Sequence, residues 1–431
     1  MAKITFMGAG STIFAKNVLG DCILTPSLED SEIYLYDIDL ERLSESENML
    51  SNLNANNSNK AKIIATTDRQ KALENANYVV NAIQVGGYKP CTVTDFEIPK
   101  KYGLNQTIGD TLGIGGIFRA LRTIPVLMDF AKDIEKYCPD ALLLNYTNPM
   151  AILMGALQQH TSIKSVGLCH SVQDCASTLV KDVGLDPEGI DWKIAGINHQ
   201  AWLLEIKKNG HDLYPEIKGR SLEGQVPDTD RVRHELMHKF GYYITESSEH
   251  NAEYTPFFIK NQYPELIQKY NIPLDEYPRR CEEQIEEWNK IKSSLVNNKD
   301  LTHERSIEYA SYIMDAMETN KPYKFNGNVT NTGLITNLPS NACVEVPCIA
   351  DKNGIMPMFI GDLPPQCAGL NMTNINVHLL TIEAAITLKK EHIYHAAMLD
   401  PHTSAELKID QIVAMCNDLI EAHGNWLPSF R

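Results

Sequence analysis

The chain opens with a short apolar run, Lys3–Met7, that closes at once on Gly8-Ala9-Gly10-Ser11 and continues as a helical pattern over residues 12–24. Strand, glycine turn and helix in that order constrain the fold more than any other feature. A helix that follows a strand across a tight turn carries the chain back to lay the next strand parallel to the first. The rhythm then repeats. Apolar runs at Glu32–Tyr36, Lys62–Thr66 and residues 78–85, 141–144 and 163–168 alternate with helical patterns at 40–55, at 116–137 despite Pro125, and after Asn148-Pro149. This alternation predicts an α/β fold built on a parallel, doubly wound sheet.

Near Gly196 the rhythm changes. Residues 201–206 and 211–214 flank Asn209-Gly210, and residues 343–350 and 355–360 flank Asn353-Gly354. Both dipeptides are hairpin-turn signals. Helical patterns at 278–295, 304–318, 374–390 and 405–423 accompany them. The chain reads as two domains: residues 1–196, built on the parallel sheet, and residues 197–431, an α+β unit.

The formal net charge of −16 argues against a nucleic-acid partner, which needs clustered Lys and Arg. It argues equally against an anionic membrane surface. No stretch approaches the ~20 apolar residues of a membrane span, and Met1 to Gly10 lacks the layout of an export signal. A cytoplasmic protein is expected. Its ten cysteines have irregular spacing and read as reduced, mostly buried thiols rather than a disulfide framework.

Gly8 suits the tight turn, and Gly10 lets a pyrophosphate approach the helix N-terminus, where free N–H groups favour anions. The third position of the fingerprint is Ile13 rather than glycine. Asp37, at the end of the second strand, is placed to accept hydrogen bonds from an adenosine ribose, though it lies farther along than the usual ~20 residues. A structural turn is the simpler alternative. The position on the first strand, with an acid ending the second, favours a dinucleotide held by Gly8, Gly10, Ser11 and Asp37, and favours NAD over NADP.

Three further segments follow apolar runs: Asn145-Tyr146-Thr147-Asn148-Pro149, Gly167-Leu168-Cys169-His170-Ser171 and Gly196-Ile197-Asn198-His199. As ends of parallel strands they would share one sheet edge, beside the reactive end of the cofactor. A thiolate, imidazoles and oxygen donors meeting there can hold a divalent metal. Taken singly, each has a structural reading: a small buried thiol, a core histidine, a turn. A glycine-rich loop, residues 106–116, could cradle sugar or phosphate oxygens or simply cap a helix. A polar stretch, residues 247–256, ends on Tyr254-Thr255-Pro256 and its position alone assigns it nothing.

Taken together these segments resemble glycoside hydrolase family 4, and within it the bacterial α-galactosidase type. The resemblance spans the chain, from Ile4-Thr5-Phe6-Met7-Gly8-Ala9-Gly10-Ser11-Thr12 through Cys169-His170-Ser171-Val172-Gln173 to Asp400-Pro401-His402-Thr403. It implies a Rossmann-type domain followed by a lactate/malate-dehydrogenase-like domain, assembled as a homodimer or homotetramer. It also implies hydrolysis without the usual carboxylate pair. NAD⁺ takes a hydride from sugar C3, a base removes the C2 proton as the C1–O bond breaks, water adds, and the hydride returns. Cys169 and His199 are implied to hold a divalent ion, typically Mn²⁺, which binds O2 and O3 as a Lewis acid. Tyr254 matches the base, His170 the group that protonates the leaving oxygen, and Asn148 a substrate-binding asparagine. Asp110 stands where phospho-sugar members carry Glu. Cys91 stands where those members carry a basic residue, which points to an unphosphorylated sugar. An α-glucosidase, an α-galacturonidase and a lactate/malate-type dehydrogenase are the competing readings.

Overall fold

The computed structural model describes residues 1–57, 59–224 and 226–431. Strand β1 (Lys3–Met7) is buried from Ile4 onward, as a strand with helices on both faces must be. Its side chains divide by alternation: Ile4 and Phe6 enter one hydrophobic cluster and Met7 the other. Strands β2 (Glu32–Tyr36), β3 (Lys62–Thr66), β4 (Tyr78–Asn81), β5 (Leu142–Asn145) and β6 (Lys164–Gly167) join it in parallel register. Their spatial order, β3-β2-β1-β4-β5-β6, is that of a dinucleotide-binding sheet, with the order reversing between β1 and β4. The expected parallel, doubly wound architecture is therefore found.

The sheet does not stop at β6. Strands β7 (Ile190–Ile197), β8 (Gln200–Lys208), β9 (His211–Asp212), β10 (Tyr243–Ile244), β11 (Tyr323–Thr330), β12 (Cys343–Asp351) and β13 (Gly354–Pro357) extend it to 13 strands among the described residues. This extension corrects one expectation. β7 is antiparallel to both β8 and β12, so His199 does not follow the end of a parallel strand. It sits at the tip of the β7–β8 hairpin, where the pair Ile197 and Gln200 encloses Asn198 and His199. His199 has φ +62°, the left-handed conformation that such a turn position demands.

Other expectations shift at their ends. β4 stops at Asn81, and the chain then passes through Gly87–Thr92, kinked where Lys89 is extended at φ −107° and ψ 131°, into a helix, Val93–Lys101. Pro90 and Pro99 inside them disguise the helical pattern. The helix expected over 304–318 begins only at Ala310, which leaves residues 297–309 as an irregular strap. The pattern at 405–423 divides into Pro401–Glu406 and Ile409–His423. The helix Gly113–Tyr137 is buried without a break from Gly113 to Ile124, so it fills the core behind the parallel strands.

Candidate active site

Gly8 has φ +88°, and a Cβ there would lie 2.6 Å from the Ala82 carbonyl oxygen. The turn is closed by Gly8 and Ala9, whose N–H groups both donate to the Tyr36 carbonyl at 3.0 Å. Asp37 lies against this turn. Its Oδ2 accepts the Gly10 N–H at 2.6 Å, and its Oδ1 accepts the Asp39 N–H at 2.9 Å. Ser11 donates its hydroxyl back to the Gly8 carbonyl at 2.7 Å, so it does not cap the following helix, Thr12–Ile23. That helix has no acidic residue in its first turn. Its N-terminus keeps the free N–H groups and partial positive charge that suit a pyrophosphate.

A cavity of about 570 Å³ runs from this turn, at Ser11 and Phe14, to Cys169 and His199. At its far end three donors meet. Cys169 Sγ lies 3.2 Å from His199 Nε2, and Glu246 Oε2 lies 3.6 Å from the same nitrogen. All three ligand atoms fall within 4.8 Å of one another. Glu246 is held at φ +65°, an uncommon conformation for a non-glycine residue and one often found at functional sites. Burial works against a charged His199, yet Glu246 and Cys169 push its pKa up to about 10. The pocket thus draws positive charge to the point between thiol and carboxylate, and the soft and hard donors there fit a divalent transition metal.

The cavity wall carries most of the other expected residues. His170 Nε2 lies 2.8 Å from Glu308 Oε2, and its ring stacks on Tyr146 at 6.1 Å. Burial lowers the affinity of that ring for a proton, but the Glu308 bond and charge outweigh it and raise its pKa. Asn148 presents a buried Oδ1 with no partner, suited to a hydroxyl donor. Asp110 faces Arg119 at 3.8 Å. Arg119 also donates to the Asn148 carbonyl at 3.2 Å and to the Tyr277 hydroxyl at 3.1 Å.

Tyr254 is placed differently. It is fully buried, and its hydroxyl lies 3.3 Å from His199 Nδ1, behind the donor cluster rather than on the wall. Burial, then Asp110, Glu253 and Glu246, push its pKa well above the ordinary phenol value. His250 is the wall residue of this segment, with Nδ1 2.7 Å from Ser247 Oγ.

Three N–H groups of the glycine-rich loop are taken by the protein itself rather than kept for a ligand. Thr107, Ile108 and Gly109 donate theirs to the buried carboxylate of Glu253, at 2.8, 3.2 and 2.7 Å. Burial pushes the Glu253 carboxyl up to about 7, against the pull of the Gly109 and Thr107 bonds. A Cβ on Gly115 would meet the Gly109 carbonyl oxygen at 2.2 Å, so the loop folds directly onto the helix it opens. Its product is the placement of Asp110.

Cys91 is buried against Gly86 and lies off the cavity wall, as does the exposed Lys89. The two arginines on the wall are both paired: Arg119 with Asp110, and Arg280 with Glu276 at 2.6 Å and Glu249 at 3.4 Å. All ten cysteines are free, and every one except Cys169 is buried. Sequence reasoning missed Glu246, His250, Tyr277 and Arg119. Arg119 had a signal, a cation inside the apolar run Gly-Ile-Phe-Arg-Ala-Leu.

Over its full length the chain is 65% identical to an alpha-galactosidase of Bacillus subtilis (strain 168), covering 100% of each. It is 33% identical to an alpha-galactosidase of Rhizobium meliloti (strain 1021), covering 99% of this chain and 89% of that one. Its fold matches that of a 6-phospho-alpha-glucosidase from gut microorganisms, solved with NAD and Mn²⁺, at a TM-score of 0.83 with 22% identity and 100% of both chains covered. A malate dehydrogenase of Plasmodium falciparum, solved with NADH, matches more distantly, at a TM-score of 0.53 and 14% identity over 90% of this chain and 99% of that one. The family 4 glycosyl hydrolase model matches residues 3–185, and the model of that family's C-terminal domain matches residues 194–403. The chain belongs to the family 4 glycosyl hydrolases.

Proposed function

We propose that this protein is an α-galactosidase acting on unphosphorylated α-galactosides, with NAD and a divalent ion such as Mn²⁺ as cofactors. The observation that carries the reading is the single cavity that joins the glycine turn to the Cys169, His199 and Glu246 cluster. The full-length likeness to the Bacillus subtilis alpha-galactosidase supports the sugar, and the NAD and Mn²⁺ of the 6-phospho-alpha-glucosidase support the cofactors. Gly8, Gly10, Ser11 and Asp37 would hold the dinucleotide, and Cys169, His199 and Glu246 the ion. When bound, NAD⁺ supplies reversible hydride acceptance at sugar C3, and the ion supplies Lewis acidity at O2 and O3.

The chain's own residues do the rest. Asn148 Oδ1 and Asp110, fixed by Arg119, orient sugar hydroxyls. Tyr254 is the base that the resemblance implies for the C2 proton, and it takes that proton only once its hydroxyl is brought out from behind His199. Its acidic neighbours oppose ionisation, so it serves as a base only when positive charge sits on the far side of His199. His170 delivers a proton to the departing glycosidic oxygen. An unphosphorylated sugar suits a wall whose arginines are already paired with carboxylates. In this reading residues 1–196 carry the cofactor and 197–431 the substrate, in a cytoplasmic homodimer or homotetramer.

The test is hydrolysis of nitrophenyl α-galactoside in D₂O with NAD⁺, Mn²⁺ and a thiol reductant, beside the α-glucoside and α-galacturonide. We expect the galactoside to be preferred, deuterium at C2 of the released sugar, and no net NADH. Steady NADH matching product would indicate a dehydrogenase, and C2 wholly unlabelled would overturn the elimination. Tyr254→Phe should lower turnover ~10²-fold or more with NAD⁺ and Mn²⁺ binding retained. A fully active Tyr254→Phe enzyme beside an inert His250→Asn one would move the base to His250, the residue on the wall.

A further inference from the structure

Residues 297–309 form neither helix nor strand, yet they are tied down along their length. Asn56 Nδ2 donates to the carbonyls of Lys299 and Leu301, at 2.6 and 3.1 Å. Leu301 packs with Met49 and Val296. His303 Nε2 lies 2.8 Å from Asp21 Oδ1, Ser306 donates both its N–H and its hydroxyl to the same carboxylate, and Arg305 donates to Thr25 Oγ1 at 2.9 Å. Asp21 is completely buried in the first helix of the cofactor half. A segment without ladder hydrogen bonds stays ordered only where side chains replace them, and here a buried carboxylate does so.

The strap ends on two buried residues that grip two adjacent residues of the site. The Tyr309 hydroxyl accepts the Cys169 N–H at 2.7 Å and donates to the Cys169 carbonyl at 3.0 Å. The neighbouring Glu308 meets His170 Nε2 at 2.8 Å, the one hydrogen bond of that ring among the described residues. An imidazole bonded to a carboxylate through one nitrogen has its tautomer and ring plane set, and the other nitrogen is left for the substrate.

We propose that Glu308 is a positioning residue that fixes the His170 ring so that Nδ1 is presented to the glycosidic oxygen of the leaving group. The inference rests on the role given to His170 above. One proton passes from Nδ1 of the doubly protonated ring to that oxygen as the C1–O bond breaks and its electron pair remains on the oxygen, which leaves the neutral ring with its Nε2–H still bonded to Glu308. Glu308 neither gains nor loses a proton.

The experiment compares kcat on nitrophenyl α-galactoside, whose aglycone departs without a proton, with kcat on melibiose, whose aglycone needs one. Holoenzyme is used throughout, with thermal midpoint and KM recorded. His170→Asn should raise the nitrophenyl-to-melibiose ratio ~10²-fold over the wild type. Glu308→Gln should raise it about tenfold, a tenth of the general-acid effect, with KM for both substrates little changed. Glu308→Asp, which keeps the charge one methylene short, should fall between wild type and Gln, and it carries the test if the Gln variant does not fold. An equal loss on both substrates in the Glu308 variants, beside a raised ratio in His170→Asn, overturns the inference and leaves Glu308 a structural residue. An unmoved ratio in His170→Asn removes the role of His170 itself, and the inference with it.

Discussion

Two glycine-rich loops open helices in this protein, and their fates differ. Gly8 to Ser11 precedes Thr12–Ile23, and residues 106–112 precede Gly113–Tyr137. Each meets a carboxylate from elsewhere in the chain. At the first loop, Asp37 takes a single N–H, that of Gly10, from the half-exposed end of β2. At the second, Glu253 takes three N–H groups from a site closed to water. Glycine in a loop shows that the backbone closely approaches something. Only the burial of the partner decides whether that something is a ligand or the protein itself.

The comparison is broken most severely at Glu253. Glu253→Ala leaves three buried N–H groups without an acceptor, each worth ~1–3 kcal/mol. We expect a stability loss of about 3–5 kcal/mol in urea unfolding and no measurable turnover, because Asp110 and Tyr254 both depend on the clamp. A variant of wild-type stability would mean that the loop is not held by this carboxylate. Gly8→Ala comes next. It places a Cβ 2.6 Å from a carbonyl oxygen at φ +88°, and should cost about 1–3 kcal/mol while abolishing NAD⁺ binding by calorimetry. Asp37→Ala is the mildest. Stability should stay within ~0.5 kcal/mol, and NAD⁺ affinity should fall about tenfold, the equivalent of one charged hydrogen bond. Unchanged affinity would make Asp37 a turn residue and erase the distinction between the loops.

Legibility in the sequence followed the same division between local and distant causes. β1, β2 and β3 have the bounds expected from their apolar runs, because each run lies between local turn signals. Cys169 and His199 were expected to meet, and they do, although β7 brings His199 from the antiparallel side. The expectation had treated the run that leads to His199 as one more parallel strand, and the hairpin at Asn198-His199 lacks the Asn-Gly pair that marked the other hairpins. Glu246, His250 and Tyr277 could not be read, since their places depend on how the segments around the short helix Ser248–Glu253 and the helix Glu276–Val296 pack over the cavity. Residues 304–309 of the strap were read as the start of a helix, while Asp21, the residue that ties His303 and Ser306 down, lies far away in sequence.

The distribution of thiols has a practical consequence. Burial raises the thiols of Cys91 and Cys138 to about 11 and those of Cys175, Cys348, Cys367 and Cys416 to about 12, and it closes all of them to reagents. Cys169 alone is within reach of solvent, inside the donor cluster. Alkylation of the folded protein should therefore add one label per chain, at Cys169, and the rate of that labelling becomes a native reporter of whether the cluster is engaged, with no engineered tag and no substrate.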